Sequence, residues 1–274
     1  MSDAPVIFPL SAAQRRLWFL AQWNRGTAVY NTGRVIDLDG ELDREALACA
    51  LDALVARHES LRTTFSETDG EPVQMIAPTG ALPLQVVDQH RLPPDAREAD
   101  AAAQCREELE RPFDLEAGPP VRALLLRLEH DRHRLVLTLH HVITDGWSNE
   151  ILIRDLAALY EAAVSGRPVE LPELDIQYVD YSEWQREQSE SGHWSGDLAY
   201  WVERLTGAPD QLKIATDFPR ATARSEAGGV AALRLDPDLE RNVDALCRRE
   251  GATLFTVVLS AFNAVLRLHT GHDD

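Results

Sequence analysis

The chain contains few cysteines. Its three, Cys49, Cys105 and Cys247, lie far apart among 274 residues and form no C-x-x-C pair or other metal-type spacing. An odd number of widely separated cysteines does not fit a disulfide framework. We therefore expect them to be small core residues of a reduced, cytoplasmic protein.

Basic residues and long apolar runs are also scarce. Lysine and arginine number 27 against 45 aspartates and glutamates, so the net charge is −18 at pH 7. Such a surface repels phosphate groups, and we expect neither nucleic acid nor a membrane as a partner. No apolar stretch approaches the ~18 residues of a membrane span, and the N-terminus lacks the pattern of a signal peptide.

Hydrophobic residues are abundant enough for a core, at 45% of the chain. At roughly 150 residues per domain, the length fits one large domain or two smaller ones. The predicted helices cover about 11–24, 43–57, 95–110, 148–166, 237–250 and 253–269. The predicted strands flank Asp69-Gly70 and cover about 84–87, 121–128, 135–141 and 230–235. Residues 208–229 are predicted to form a long surface loop.

The most informative segment is Leu139-His140-His141-Val142-Ile143-Thr144-Asp145-Gly146. Two adjacent histidines end a predicted strand, where successive side chains point to opposite faces. One histidine can therefore be held inside the protein while the other faces an opening. A histidine before a turn and a helix is well placed for proton transfer in a cleft.

Three further segments make a family resemblance specific. They are Ser11–Leu20, Arg57–Phe65 and Tyr178–Trp184. With His140–Gly146, which carries the pattern HHxxxDG, they make four segments in a fixed order along the chain. In that order we call them motif one (Ser11–Leu20), motif two (Arg57–Phe65), motif three (His140–Gly146) and motif four (Tyr178–Trp184). In these four motifs the chain resembles the condensation domains of nonribosomal peptide synthetases.

The resemblance implies a layered α/β (α+β) fold. It predicts a chloramphenicol acetyltransferase-like lobe over residues 1–175, with a mixed sheet flanked by helices. Residues 176–274 would form the crossover and the beginning of a second, incomplete lobe. Because the family's active site lies in a tunnel between two lobes, we expect these 274 residues alone to be inactive.

The same resemblance implies amide formation. A donor acyl or peptidyl thioester and an acceptor aminoacyl thioester would arrive on the phosphopantetheine arms of upstream and downstream carrier proteins, beside adjacent synthetase domains. The domain itself would bind no cofactor. His141 matches the family histidine at the reacting centre, as a general base or as a group that positions the amine; the residues leave both roles open.

The remaining motif residues are expected to support the site. His140 should face the interior and hydrogen-bond there, and Gly146 should allow close substrate approach or an unusual turn. Asp145 could orient His141, as in a catalytic triad, but no nucleophile elbow is present. The family comparison instead suggests an ion pair with Arg62, or less favourably with Arg57. His141 and Asp145 lack a third ligand nearby, so we predict no metal site.

Two other classes of function share parts of this pattern. One is a related HHxxxDG acyltransferase, either an ester-forming enzyme or an epimerisation domain. The other is a non-catalytic scaffold that docks carrier proteins. Epimerisation domains usually place tryptophan after the motif serine, whereas here Trp147 precedes Ser148. The intact His141, Asp145 and Gly146 argue against a scaffold without activity. The donor, the acceptor and the peptide product cannot be read from these residues.

Overall fold

The computed structural model describes residues 4–208, 212, 214–218 and 231–272. The strands are β1 (Val6–Pro9), β2 (Asn31–Asp39), β3 (Thr63–Thr68), β4 (Glu71–Ile76), β5 (Leu84–Asp88), β6 (Val121–Arg127) and β7 (Arg132–His140). The helices are α1 (Ala12–Trp23), α2 (Arg44–Arg57), α3 (Pro94–Glu110), α4 (Gly146–Ser165), α5 (Tyr178–Glu190), α6 (Ser195–Leu205), α7 (Pro237–Glu250) and α8 (Leu254–Thr270). A short 3₁₀ turn at Glu59–Arg62 joins α2 to β3.

The central sheet has the strand order β2-β7-β6-β5. The β2–β7 and β6–β7 pairs are antiparallel and the β5–β6 pair is parallel, so the sheet is mixed, as expected. The predicted antiparallel pairing of β6 with β7 is confirmed. A second, antiparallel sheet has the order β1-β4-β3.

Helices cover both faces of the central sheet. Leu125 and Leu135 pack toward α2 and α4 on one face. Leu124, Leu126 and Val136 pack toward α3 on the other. A sheet buried on both faces needs consecutive apolar residues instead of an alternating pattern, which explains the leucine run in β6.

Two glycines serve specific geometric needs. The β3–β4 hairpin turns at Asp69 and Gly70, which both have positive φ angles (53° and 82°), the geometry for which Asp-Gly is favoured. In β2, a side chain at Gly33 would collide with Leu109 of α3. The absence of a side chain there lets the end of α3 lie close against the sheet.

The chain divides into two compact units, the first ending at Trp194 and the second beginning at Ser195. The predicted lobe boundary at 175/176 stays a prediction. Helix α5 belongs to the first unit, where Tyr178 contacts Ser11 and Ser182 contacts Gln74.

The second unit contains α6, α7 and α8 among its described residues. Both α7 and α8 lie where the sequence predicts them. The predicted strand at 230–235 is wrong over 231–235, which has no regular structure, while residue 230 and most of the predicted 208–229 loop lie outside the described residues. Of the cysteines, only Cys105 is buried and Cys49 is exposed, so the core assignment is wrong for Cys49.

Within the described ranges no single helix is long and apolar enough to cross a membrane. The α7–α8 pair meets the length and composition test only when the two helices are joined, and they are bent by 106°.

Candidate active site

The first histidine of motif three is buried. His140 is the last residue of β7 and is 4% exposed. Its Nδ1 accepts a hydrogen bond from the Val142 N–H at 3.1 Å, and its ring lies beside Tyr30 and Phe113. Burial lowers the pKa of His140 to about 4, so the ring is neutral at physiological pH. His140 is thus buried and hydrogen-bonded, and its supporting role stays a prediction.

The second histidine is the exposed member of the pair. His141 follows β7 directly, and its backbone N–H donates to the Tyr30 carbonyl at 2.8 Å. This bond fixes the backbone at the strand end while the imidazole remains solvent-exposed. The arrangement offers a hydrogen-bonding side chain on a rigid strand terminus, which suits contact with a substrate.

Asp145 caps the helix that follows the histidines. Its Oδ1 accepts hydrogen bonds from the N–H and hydroxyl of Ser148, both at 2.7 Å. These bonds lower the pKa of Asp145 and keep it ionised at the positive end of the α4 dipole. The helix therefore begins at Gly146, two residues earlier than predicted.

Gly146 does not occupy an unusual turn. It is the first residue of α4 and lies outside the positive-φ glycines. A Cβ built at this position would meet no atom within 4 Å. The expected special backbone angle is therefore wrong, whereas close approach of a substrate over this open backbone stays a prediction.

The predicted ion pair between Asp145 and Arg62 does not form. Arg62 instead donates to the carbonyls of Val55, Ala56 and Ala77 and to the Glu59 carboxylate. The last carbonyls of α2 have no partner within the helix, and Arg62 lies close enough along the chain to satisfy them. Arg57, the lesser candidate, also bonds elsewhere.

Arg57 and His58 bind a carboxylate that was not predicted from the sequence. Arg57 Nε and His58 Nε2 each lie 3.0 Å from Oδ2 of Asp155, a side chain of α4 that is 0% exposed. Burial opposes ionisation of Asp155, but bonds from Arg57, Arg154 and His58 outweigh it and lower its pKa. Burial lowers the pKa of His58 despite this contact. The sequence contains one sign of this buried carboxylate: Asp155 interrupts the apolar stripe of α4 between Leu152 and Leu156.

Motifs one and four also contact each other. The hydroxyls of Ser11 and Tyr178 lie 2.9 Å apart, and the Ala12 N–H donates to Gln185 Oε1 at 2.7 Å. Ser11 is also the N-cap of α1. The four motifs thus form one connected structure, in which motif two holds α4, motif four holds α1, and α1 packs against Val142 of motif three.

The described residues contain no group of three or more histidine, cysteine, aspartate or glutamate side chains that could hold a metal ion. Asp145 is engaged by Ser148, and His140 faces away from His141. The polar groups of this region are arranged to cap helices and to present one imidazole.

The family model described as Condensation domain matches residues 6–274. The chain belongs to this family. Condensation-domain relatives include a chondramide synthase of Chondromyces crocatus, 42% identical over 98% of this chain, and phosphinothricin tripeptide synthetase PhsC of Streptomyces viridochromogenes, 43% identical over 99%. A linear gramicidin synthase of Brevibacillus parabrevis is 41% identical over 97%. These alignments span 7%, 25% and 5% of the relatives' own lengths.

Solved structures agree with the family and the fold. The first condensation domain of the calcium-dependent antibiotic synthetase, in complex with a substrate analogue, superposes with a TM-score of 0.81 at 26% identity, covering 98% of this chain and 63% of that one. The X-domain from teicoplanin biosynthesis gives 0.82 at 31% identity, covering 95% and 57%. The predicted family and chloramphenicol acetyltransferase-like fold are confirmed. The chain is a condensation domain of the nonribosomal peptide synthetase type, a family with acyltransferase-type activity.

Proposed function

We propose that this condensation domain forms an amide bond between a donor acyl or peptidyl thioester and an acceptor aminoacyl thioester. Both substrates arrive on phosphopantetheine arms of carrier proteins, and the domain needs no cofactor of its own. The acceptor amine attacks the donor carbonyl carbon. The carbon–sulfur bond then breaks, and the amine proton is transferred to the released thiol.

The observation that carries the proposal is the contrast within the histidine pair. His140 is buried, neutral and occupied by the Val142 N–H, whereas His141 is exposed on a backbone fixed by Tyr30. Only His141 can reach an amine outside the strand. It hydrogen-bonds to the attacking amine and is the catalytic residue of this proposal. Asp145 supports the backbone that follows it by capping α4, and the open backbone at Gly146 leaves room for the substrate.

Two properties of the amine explain why one imidazole suffices. A neutral amine is itself a good nucleophile, so the site needs no serine or cysteine to form a covalent intermediate. Attack produces a positively charged nitrogen that must lose a proton, and a positioned imidazole can bind or accept it. The active site therefore needs orientation and one hydrogen-bonding group.

The test is single-turnover condensation by the full polypeptide that carries this chain, with loaded donor and acceptor carrier proteins. The His141→Ala variant is expected to lose ~100-fold or more in rate, while its stability changes by less than about 0.5 kcal/mol because the side chain is exposed. His130→Ala, at an exposed turn, is the matched control and should retain wild-type activity. Retention of most activity by His141→Ala would overturn the catalytic assignment.

Product analysis in the same assay distinguishes the other classes of function. An amide that joins donor and acceptor supports the proposal. An ester, a donor epimer without condensation, or carrier-protein binding without turnover would each contradict it.

A further inference from the structure

Arg122 of β6 lies on the same face of the central sheet as His140. It is paired with Thr138 of β7 in the antiparallel register, and directly opposed residues of two strands share a face. His140 is two residues further along β7, and side chains two apart on a strand point to the same side. The guanidinium and the imidazole are therefore both on the side of the sheet that α3 covers.

The side chain of Arg122 binds the last turn of α3 and the residues after it. Its Nε donates to Glu108 Oε1 at 2.5 Å, and its Nη2 donates to the carbonyls of Glu108 and Arg111 at 2.9 and 2.7 Å. Nη1 donates to the Pro112 carbonyl at 3.4 Å. The last carbonyls of a helix have no partner within it, so one guanidinium fixes the path of the chain over 108–112.

Phe113 follows this segment and contacts both Arg122 and His140. Arg122 Cζ lies over the ring of Phe113, 3.7 Å from its centroid, which is a cation–π contact. The His140 imidazole meets the same ring at a right angle, with the two centroids 6.3 Å apart. Arg122 thus reaches the first histidine of motif three through one aromatic ring.

Phe113 also lines an open cavity between the end of α1 and the loop after α3. The cavity has a volume of about 340 Å³, and Ala21 and Leu115 are among its other walls. His140, in contrast, is 4% exposed. Because the Phe113 ring contacts both the cavity and the imidazole, its displacement would let water reach a histidine whose neutral state depends on burial.

We propose that Arg122 is a positioning residue of motif three: it holds Phe113 against His140 and so keeps water away from the imidazole. A neutral ring can accept the Val142 N–H at Nδ1, whereas a protonated imidazole carries a hydrogen on both nitrogens and cannot accept. This bond fixes the backbone on both sides of His141. The effect on condensation rests on the proposed function, whereas the coupling of Arg122 to His140 does not.

Burial and one neighbouring charge set the pKa of the His140 imidazole. Burial is the larger cause of its lowering, and His141 is the smaller. On the side of β2, Tyr30 contributes an aromatic ring at 6.2 Å. On the side of α3, the charges are those of Arg122 and its partner Glu108. Exposure to water is therefore the property of His140 that a change at Arg122 should alter.

Two substitutions and a matched control test this role. Arg122→Met removes the charge and the donors but keeps an unbranched side chain, and Phe113→Ala removes the ring without changing the Arg122–Glu108 pair. The control is Arg111→Met, because Arg111 Nη2 binds the same carboxylate at 2.7 Å from a half-exposed side chain. Among the described residues, Arg122 is the arginine that stacks on Phe113. Glu108 keeps one arginine partner in either arginine variant.

The first measurement is an NMR titration of His140 in the 274-residue chain labelled with ¹⁵N-histidine, with its signal assigned from His140→Asn. Between pH 8 and 5 the wild type and Arg111→Met should keep a neutral ring, since the pKa is about 4. Arg122→Met and Phe113→Ala should raise the midpoint by about one pH unit or more. If Arg122→Met does not fold, Phe113→Ala makes the same comparison.

The second measurement is condensation by the full polypeptide, with each variant compared to the wild type at the same pH so that ionisation of the acceptor amine cancels. Arg122→Met should lower kcat roughly 10-fold with little change in KM, because a misplaced catalytic group slows the chemical step. The loss should deepen toward pH 6, where the uncovered His140 begins to gain a proton. Arg111→Met should keep wild-type turnover. A loss of folded protein alone would lower turnover without moving the His140 titration.

Two results would overturn the proposal. One is an unchanged His140 midpoint in folded Arg122→Met or Phe113→Ala. The other is an equal rise in Arg111→Met, which would assign the effect to the charge balance of Glu108 instead of the Phe113 contact. Absence of amide formation by the wild type would refute the proposed function and leave the NMR titration to decide the inference.

Discussion

Arg57 Nε donates to Oδ2 of Asp155 at 3.0 Å, and this bond joins the end of α2 to the middle of α4. Asp155 is 0% exposed, and His58 contacts the same oxygen. Motif two therefore acts on motif three indirectly, by fixing the helix that Asp145 begins. The ion pair expected between motif two and Asp145 is replaced by one located ten residues further along α4.

Double-mutant cycles should locate this interaction. Removing one partner of a buried ion pair leaves an uncompensated charge, so Asp155→Ala is expected to cost about 3 kcal/mol in the free energy of unfolding. The Arg57–Asp155 coupling should be about 2 kcal/mol. Urea denaturation of the four cycle members measures both quantities.

The matched control is the Arg62–Asp145 cycle. Because these side chains bond to separate groups, their effects should add to within about 0.5 kcal/mol. A large coupling between Arg62 and Asp145, together with additivity at Arg57 and Asp155, would contradict the structure.

Some elements were predictable because their signals are local. Ser11 and Asp43 cap helices by accepting from backbone N–H groups a few residues ahead, and such caps can be recognised from sequence. The Asp69-Gly70 turn also depends only on adjacent residues. The alternation that separates His140 from His141 follows from strand geometry alone.

Other features depend on partners distant in sequence. The strand β2 was not predicted, because its Asn, Gly and Asp residues are unfavourable in strands. It is an edge strand that depends on pairing with β7. Arg62 was assigned the wrong partner because the free carbonyls at the end of α2 are nearer than any carboxylate of motif three. In the sequence Asp155 looks like an ordinary charged residue of a helix, because its burial depends on α2, which is distant along the chain.

The contact between motifs one and four can be tested at Tyr178. Its hydroxyl lies 2.9 Å from Ser11 Oγ, and burial raises the pKa of the phenol. Tyr178→Phe should cost about 1 kcal/mol in the free energy of unfolding, the typical net value of one hydrogen bond. Tyr181→Phe is the control, because its hydroxyl bonds to Gln185 at the surface and its loss should cost less. Equal costs for the two variants would contradict a specific role for the Ser11 contact.

Asp145 should act as a helix cap. Asp145→Ala is expected to cost about 1 kcal/mol of stability, whereas Asp145→Asn should cost little because asparagine caps nearly as well. Condensation should follow the same order, since the start of α4 adjoins His141. Asp43→Ala, at the N-cap of α2, should lose similar stability without loss of turnover. If Asp145→Asn folds but is inactive, condensation would depend on the carboxylate charge of Asp145 and not on helix capping alone.

Acid stability should report the buried, neutral His140. Its pKa is about 4 in the folded chain against 6.5 for the free side chain, so the unfolded state binds the proton first as the pH falls. The stabilisation from the neutral ring is complete above pH 6.5 and is lost as the pH falls toward 4, by about 3 kcal/mol in total. His58, whose pKa is also lowered by burial, contributes in the same direction.

Urea denaturation between pH 7.5 and 4 measures this loss in the wild type and in His140→Asn, which cannot become charged. The variant should start less stable at pH 7.5, because it packs less well against Phe113, and should lose about 3 kcal/mol less on acidification. His130→Asn, at the exposed β6–β7 turn, should show the wild-type pH dependence. If His140→Asn kept the full wild-type slope, the proton uptake that destabilises the fold would have to occur elsewhere, and the buried, neutral state of His140 would be refuted.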